Sequence, residues 1–225
     1  MPGRQRKSRL VCFMTRRENN SMSNNSYATM EQQPAIEGLA NTPLVNVVRG
    51  AIPGPNPVGI EERDDVGHLV LRGDATLLAS AVAEVLDLAF PVQPLTSCSR
   101  DKICIRWISP DEWLVTIPGI ETSSVESSLR HAIVGHAAIV NVSGGQTIVH
   151  LTGKHALDVL MKSTCYDVHE LNFPTGKVIT TTLAQAQVII RRLDSDRFEL
   201  VIRRSFADYI WMWLRDAAAE FGING

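Results

Sequence analysis

The stretch Phe198-Glu199-Leu200-Val201-Ile202-Arg203-Arg204-Ser205-Phe206-Ala207-Asp208-Tyr209-Ile210-Trp211-Met212-Trp213-Leu214-Arg215-Asp216-Ala217-Ala218-Ala219-Glu220-Phe221-Gly222 reads as a strand running into an amphipathic helix. On a wheel of about 100° per residue, Phe206, Tyr209, Ile210, Trp213, Leu214, Ala217 and Phe221 share one apolar sector, the face expected to pack on a sheet. Ser205, with Asp208 three residues on, has capping-box spacing, which predicts a Ser-capped helix start. Trp211 and Met212 fall outside that sector, beside Asp208 and Arg215. A large apolar residue on a wet flank has two readings: a partner's surface, or a loop of this chain folded over the helix. The first reading makes Trp211 an interface anchor and leaves Trp213 in the chain's own core.

Upstream of this stretch the same elements recur. Gln146–Leu151 reads as a strand and Lys154–Met161 as a short helix after Thr152-Gly153. Val178–Leu183, Gln187–Arg192 and Phe198–Ile202 read as strands, with Asp194-Ser195-Asp196 turning between the last two. An earlier half has the same order. His68–Arg72 is a strand, and Asp74 caps a helix whose Leu77, Leu78, Ala81, Val82, Val85 and Leu86 form one face. Strands Ile103–Trp107 and Trp113–Ile117 flank the turn Ser109-Pro110-Asp111-Glu112. A helix opening at Ser123 carries Val125, Leu129 and Ile133 on one face, and Ala138–Val142 is a short strand. Two successive β-α-β-β-α units predict an α+β fold built as two ferredoxin-like units, residues 67–142 and 143–222. Residues 1–66, rich in Asn, Ser, Pro and Gly, are expected to form a disordered or irregular extension; Ile52-Pro53-Gly54-Pro55-Asn56-Pro57 is extended or turning chain.

Composition excludes several classes. The chain has 225 residues, 44% of them apolar, and no run approaches the ~18 residues of a membrane span. Cys12, Cys98, Cys104 and Cys165 contain no C-x-x-C pair, which fits reduced thiols and a cytoplasmic location. Charge is uneven: residues 1–21 hold six basic side chains against Glu18, or +5, so residues 22–225 carry −7 of the total −2. A domain that acidic is a poor general ligand for nucleic acid. The basic start reads as a transit peptide, a nucleic-acid arm or an over-extended N-terminus with Met14, Met22 and Met30 as alternative starts; its lack of periodicity favours the last.

No constellation assembles an acid, a base and a nucleophile. His68, His131, His136, His150, His155 and His169 form no metal-ligand spacing, and Cys165 has no demonstrable base beside it. No catalytic, cofactor-binding or metal residue is therefore expected. Ser143-Gly144-Gly145-Gln146, between two strands, reads as a hairpin or bulge, or as backbone N–H groups open to an anion; it lacks the dinucleotide and P-loop contexts. Arg203-Arg204 ends a strand at a helix start, either as a solvated strand end or as paired guanidinia for acidic groups of a ligand or partner. The expected interface set is Ser143, Gly144, Gly145, Gln146, Arg203, Arg204, Trp211 and Met212.

The strings Trp107-Ile108-Ser109-Pro110-Asp111-Glu112-Trp113-Leu114, Val142-Ser143-Gly144-Gly145-Gln146-Thr147 and Arg203-Arg204-Ser205-Phe206-Ala207-Asp208-Tyr209, in that order, resemble the gamma subunit of heterotetrameric sarcosine oxidase. The resemblance spans roughly His68 to Gly222. It implies a bacterial four-subunit flavoenzyme that oxidises the N-methyl group of sarcosine to glycine and hydrogen peroxide. With tetrahydrofolate present, such an enzyme delivers methylenetetrahydrofolate. It further implies FAD, FMN, NAD and tetrahydrofolate on other subunits, alpha, beta and delta chains as partners, and a fold similar to the folate-binding domain of glycine-cleavage aminomethyltransferases. Related folate proteins carry a Lys-Gly-Cys-Tyr-x-Gly-Gln-Glu-like segment near the matching place. Here that stretch runs Phe173-Pro174-Thr175-Gly176-Lys177-Val178-Ile179-Thr180-Thr181-Thr182-Leu183-Ala184, without cysteine or acid. The departure argues for a non-catalytic subunit; the alternative is an autonomous folate-binding regulatory or transferase-like protein.

Overall fold

The computed structural model describes residues 42–224 except Val48 and Asn56. Residues 1–41, the basic start among them, lie outside the described residues. The chain is α+β. Its first sheet comes from β2 (Val66–Gly73), β3 (Ser97–Arg100), β4 (Ile103–Ser109), β5 (Glu112–Pro118) and β6 (Ala137–Asn141), with helices α1 (Ala75–Leu86) and α2 (Thr122–Ala132). The strands lie in the order β3-β4-β5-β2-β6, and every neighbour is antiparallel. Asp74 caps α1 as its position suggests: its carboxylate accepts from the backbone N–H groups of Thr76 and Leu77. The helices cover one face through Leu78, Val82 and Leu129, which meet Leu69, Leu71, Ile105, Val115 and Ile117. Trp113 is fully buried there, and its indole N–H donates to the Pro91 carbonyl at 2.8 Å.

The second sheet uses β1 (Val58–Arg63), β7 (Gln146–Thr152), β8 (Val178–Leu183), β9 (Ala186–Asp194), β10 (Arg197–Arg203) and β11 (Ile223–Asn224), with α3 (Ala156–Ser163) and α4 (Ala207–Ala218). Its order is β11-β1-β7-β10-β9-β8, antiparallel except for the parallel pair β1–β11. Helices α3 and α4 pack together over one face, around Val149, Leu160, Phe198, Leu200 and Ile210. The helix-free faces of the two sheets meet through Leu114, Ile148 and Val201. No helix among the described residues is long and apolar enough to cross a membrane.

Three expectations need correction. Regular structure starts before His68: β1 lies inside residues 1–66, and Leu44 is fully buried. The signal was hidden because Val58-Gly59-Ile60-Glu61-Glu62-Arg63 is short and only half apolar, and its pairing partner, β7, lies far along the chain. Ser205 does not cap α4. It sits in a one-turn 3-10 segment, Arg204–Phe206, that runs straight into the helix, and no side chain caps that start. The buried stripe of α4 also differs. It is Ala207, Ile210, Trp211, Leu214 and Ala218, rotated by roughly 80° from the apolar sector on the wheel.

Candidate functional site

The rotation of α4 has a physical cause in residues 42–52, Val48 excepted. This segment crosses the outer flank of the helix. Glu62, buried on β1, holds it: Leu44 N–H donates to Oε1 at 3.3 Å, Arg49 Nη2 donates to Oε2 at 2.7 Å, and the Thr147 hydroxyl donates to Oε1 at 2.8 Å. Ile52 exchanges two backbone hydrogen bonds with Ile223, and Arg215 donates to the Gly50 carbonyl. Trp211 lies beneath, 3% exposed, with the Arg49 guanidinium 5.7 Å above its ring. Trp211 as an anchor for another subunit is thus overturned; the chain's own loop covers it. Trp213 is 38% exposed, and its indole N–H donates to the Ser163 hydroxyl of α3. Met212, 62% exposed, lines a groove of about 500 Å³ with Val47, Ile52 and Arg215.

Six of the expected interface residues do come together. The turn Ser143–Gln146 joins β6 to β7, with Gly144 at φ +79, and Gly145 N–H donates to the Val142 carbonyl. Ser143 ties the turn to the first sheet, its hydroxyl accepting from His68 N–H at 2.9 Å. Gln146 pairs with Arg203 across β7 and β10, and Arg204 N–H donates to the Gly145 carbonyl at 2.9 Å. Ser143, Gly144, Gly145, Arg203, Arg204 and half-exposed Phe206 form one surface at this end of the second sheet. The surface is cationic and carries one aromatic ring, a composition suited to a protein contact. Met212 is not part of it; that side chain lines its groove with Asn46, Val47 and Ile52.

Between the sheets lies a polar network that the sequence reading missed. Arg106 of β4 is fully buried and donates to Glu199 Oε1 of β10 through Nε at 3.1 Å and Nη2 at 2.5 Å; its Nη1 reaches the Thr116 hydroxyl at 2.9 Å. His150 Nε2 lies 3.6 Å from Glu199 Oε2, and Arg191 Nη1 lies 2.8 Å from the Cys104 sulfur. Burial opposes the Glu199 charge, but Arg106, His150 and Arg191 outweigh it and hold the carboxyl well below the usual carboxylate range. Burial, with Arg106 nearby, lowers His68 to about 4, so this imidazole is neutral at pH 7; neither ring nitrogen has a partner within the protein. The available signal was parity: Arg106 and Glu199 interrupt apolar strands at positions facing away from the helices.

Among the described residues no group of three or more His, Cys, Asp or Glu is placed to hold a metal ion. The Phe173–Ala184 stretch, compared above with a folate-protein segment, is structural here. Phe173 is core, its carbonyl accepts from buried Arg192, and Val178–Leu183 is strand β8.

Residues 72–220 match the model of the sarcosine oxidase, gamma subunit family. The chain belongs to that family. A similar relative, sarcosine oxidase subunit gamma of Corynebacterium sp. (strain P-1), is 30% identical over 144 residues, which is 63% of this chain and 70% of the relative. Among solved structures, heterotetrameric sarcosine oxidase from Corynebacterium sp. U-96, in complex with pyrrole 2-carboxylate, contains a chain with the same fold. Its TM-score is 0.70 at 24% identity, over 80% of this chain and 95% of that one. The glycine cleavage system aminomethyltransferase T of Bartonella henselae shares the fold more distantly, with a TM-score of 0.55 at 12% identity, over 71% of this chain and 45% of that one. The sarcosine oxidase gamma family match ends just past α4 and includes the Ser143–Gln146 turn, Arg203, Arg204, Arg106 and Glu199. Strand β1 and the 42–52 segment that seals Trp211 lie before it.

Proposed function

We propose that the chain is a non-catalytic gamma subunit that docks with alpha, beta and delta chains to form a cytoplasmic heterotetrameric sarcosine oxidase. In this reading FAD, FMN and NAD are held by the large chains. The assembly oxidises sarcosine to glycine with formation of hydrogen peroxide and, with tetrahydrofolate, methylenetetrahydrofolate. The observation that carries the reading is the family match over residues 72–220. The exposed surface around Ser143–Gln146, Arg203, Arg204 and Phe206 supports it as a docking face. The cationic groups stand on a strand end whose backbone is tied to the Ser143–Gln146 turn, so little backbone ordering opposes docking.

Co-expression of the full chain with candidate alpha, beta and delta chains tests this. The expected outcome is a single species on size exclusion that produces hydrogen peroxide from sarcosine, while the chain alone shows neither flavin absorbance nor amine-oxidase activity. Separate elution of this chain from an active assembly of the other three would refute the subunit role. Flavin that copurifies stoichiometrically with the isolated chain would refute the non-catalytic assignment.

A further inference from the structure

Arg191 on β9 is a largely buried cation without an adequate counter-charge. Its side chain is 12% exposed. Nη2 donates to the Ser99 hydroxyl and Nη1 to the Cys104 sulfur, while Nε is buried with no partner in the protein. A thiol sulfur is a weak acceptor, and burial pushes the Cys104 thiol up, away from the thiolate. Among the described residues, the carboxylate that ion-pairs with Arg191 is Glu199, with Oε1 3.7 Å away. That oxygen is already occupied by two N–H groups of Arg106. The buried seam therefore holds two guanidinium cations and one carboxylate. Buried charges are ordinarily paired, because desolvation of an unpaired ion costs far more than a missed surface contact.

The place for the missing charge is open. A cleft of about 410 Å³ runs between the sheets beside Arg191, and Arg63, Lys102 and Arg197 also line it. Arg63 and Lys102 pair with no carboxylate among the described residues. Arg197 pairs with Asp194 at 3.7 Å; against the other three cations the cleft walls carry only Asp101 and the already occupied Glu199. A planar guanidinium and a flexible ammonium lining one cleft suit the oxygens of a carboxylate or a phosphate. We infer that this inter-sheet cleft binds a small oxyanion, with Arg191 as its buried contact and Lys102 and Arg63 at the mouth. The site is separate from the proposed docking surface and does not depend on the subunit reading.

Calorimetric titration of the full chain at neutral pH tests this, with ionic strength held constant by sodium chloride. Inorganic phosphate and succinate serve as separate probes. The expected result is saturable binding of at least one, weakened about tenfold in Lys102→Gln and in Arg191→Gln, the scale of one lost charge-assisted hydrogen bond. Binding of phosphate alone identifies a phosphate-bearing ligand, and binding of succinate alone a carboxylate. Lys102 is exposed, so its variant keeps the test valid if Arg191→Gln fails to fold. Absence of saturable binding by either anion overturns the site, as does unchanged affinity in Lys102→Gln. An ultraviolet thiolate signal at neutral pH that disappears in Cys104→Ser also overturns it, since the counter-charge would then be internal.

Discussion

The two sheets use the same order of elements and close in different ways. In the first, α2 leads into β6, which pairs beside β2, so residues 66–141 complete their own sheet. In the second, the equivalent place beside β7 is filled by β1, from before the first sheet, and the strand after α4 is only the two-residue β11. The corresponding helices differ accordingly. The described residues place a sheet under α2, whereas α4 packs on a sheet and is also covered by residues 42–52, which is why its buried stripe includes a tryptophan. The first half is thus assembled from contacts local to its segment. The second depends on closing a loop around the first, an entropic cost repaid only when both ends are in place.

The largest test of this asymmetry is Trp211. Trp211→Ala should destabilise the isolated chain by roughly 3–5 kcal/mol in urea unfolding, because it empties the space between α4 and its covering segment. Trp213→Ala, on the half-open flank, should cost about 1 kcal/mol. The reverse order would restore the helix orientation read from the wheel and break the comparison.

A loss of similar size should follow from cutting the link between the halves. Glu199→Gln leaves Arg106 buried without its counter-charge, which should cost roughly 3–5 kcal/mol. If the halves are coupled through this pair, the unfolding transition should also lose cooperativity, visible as a lower denaturant slope. An unchanged midpoint would mean the apolar part of the seam suffices alone.

Acid should weaken the same seam. His68 takes up its proton at about 4 in the folded chain against 6.5 when free, so the unfolded state binds more protons between those values. Stability should therefore fall as pH drops from about 6.5 to about 4, by about 3 kcal/mol in total, and this contribution is constant outside that window. Glu199 acts in the same direction at lower pH. Its carboxyl is held below the usual range, so its stabilisation is present above the unfolded value and is lost as pH falls through the folded one. Urea midpoints across this range should show a flatter slope in His68→Leu; an identical slope would locate the proton uptake elsewhere.

The smallest effect belongs to the surface where the second sheet meets the turn between the halves. Arg204→Ala should leave the melting temperature of the chain unchanged and weaken its assembly with the other subunits by about 1 kcal/mol, read from a pull-down titration. A drop in melting temperature without loss of assembly would make the Arg204 side chain a brace for the Gly144 carbonyl and nothing more.

Much of this molecule is legible locally. The β-branched run Val178–Thr182, the Asp74 cap before Leu78, Ala81 and Val82, and the Pro110 turn between two Trp-bearing strands each depend on neighbours a few residues away. They predict the α+β order, and three short strings suffice to point to the family. The meeting of Ser143–Gln146 with Arg203 and Arg204 was also within reach, because adjacent strands bring those ends together. The rest depended on long-range pairing. A helical wheel ranks faces by their own side chains; it cannot register that Gly50 would meet Arg215 from 165 positions away and close over Trp211. Nor does either strand alone reveal that Arg106 and Glu199, 93 residues apart, neutralise each other across the seam. Charge on a strand face is compatible with solvent or with a buried partner. The choice between them is made by which sheet packs against it, and that is a property of the assembled fold.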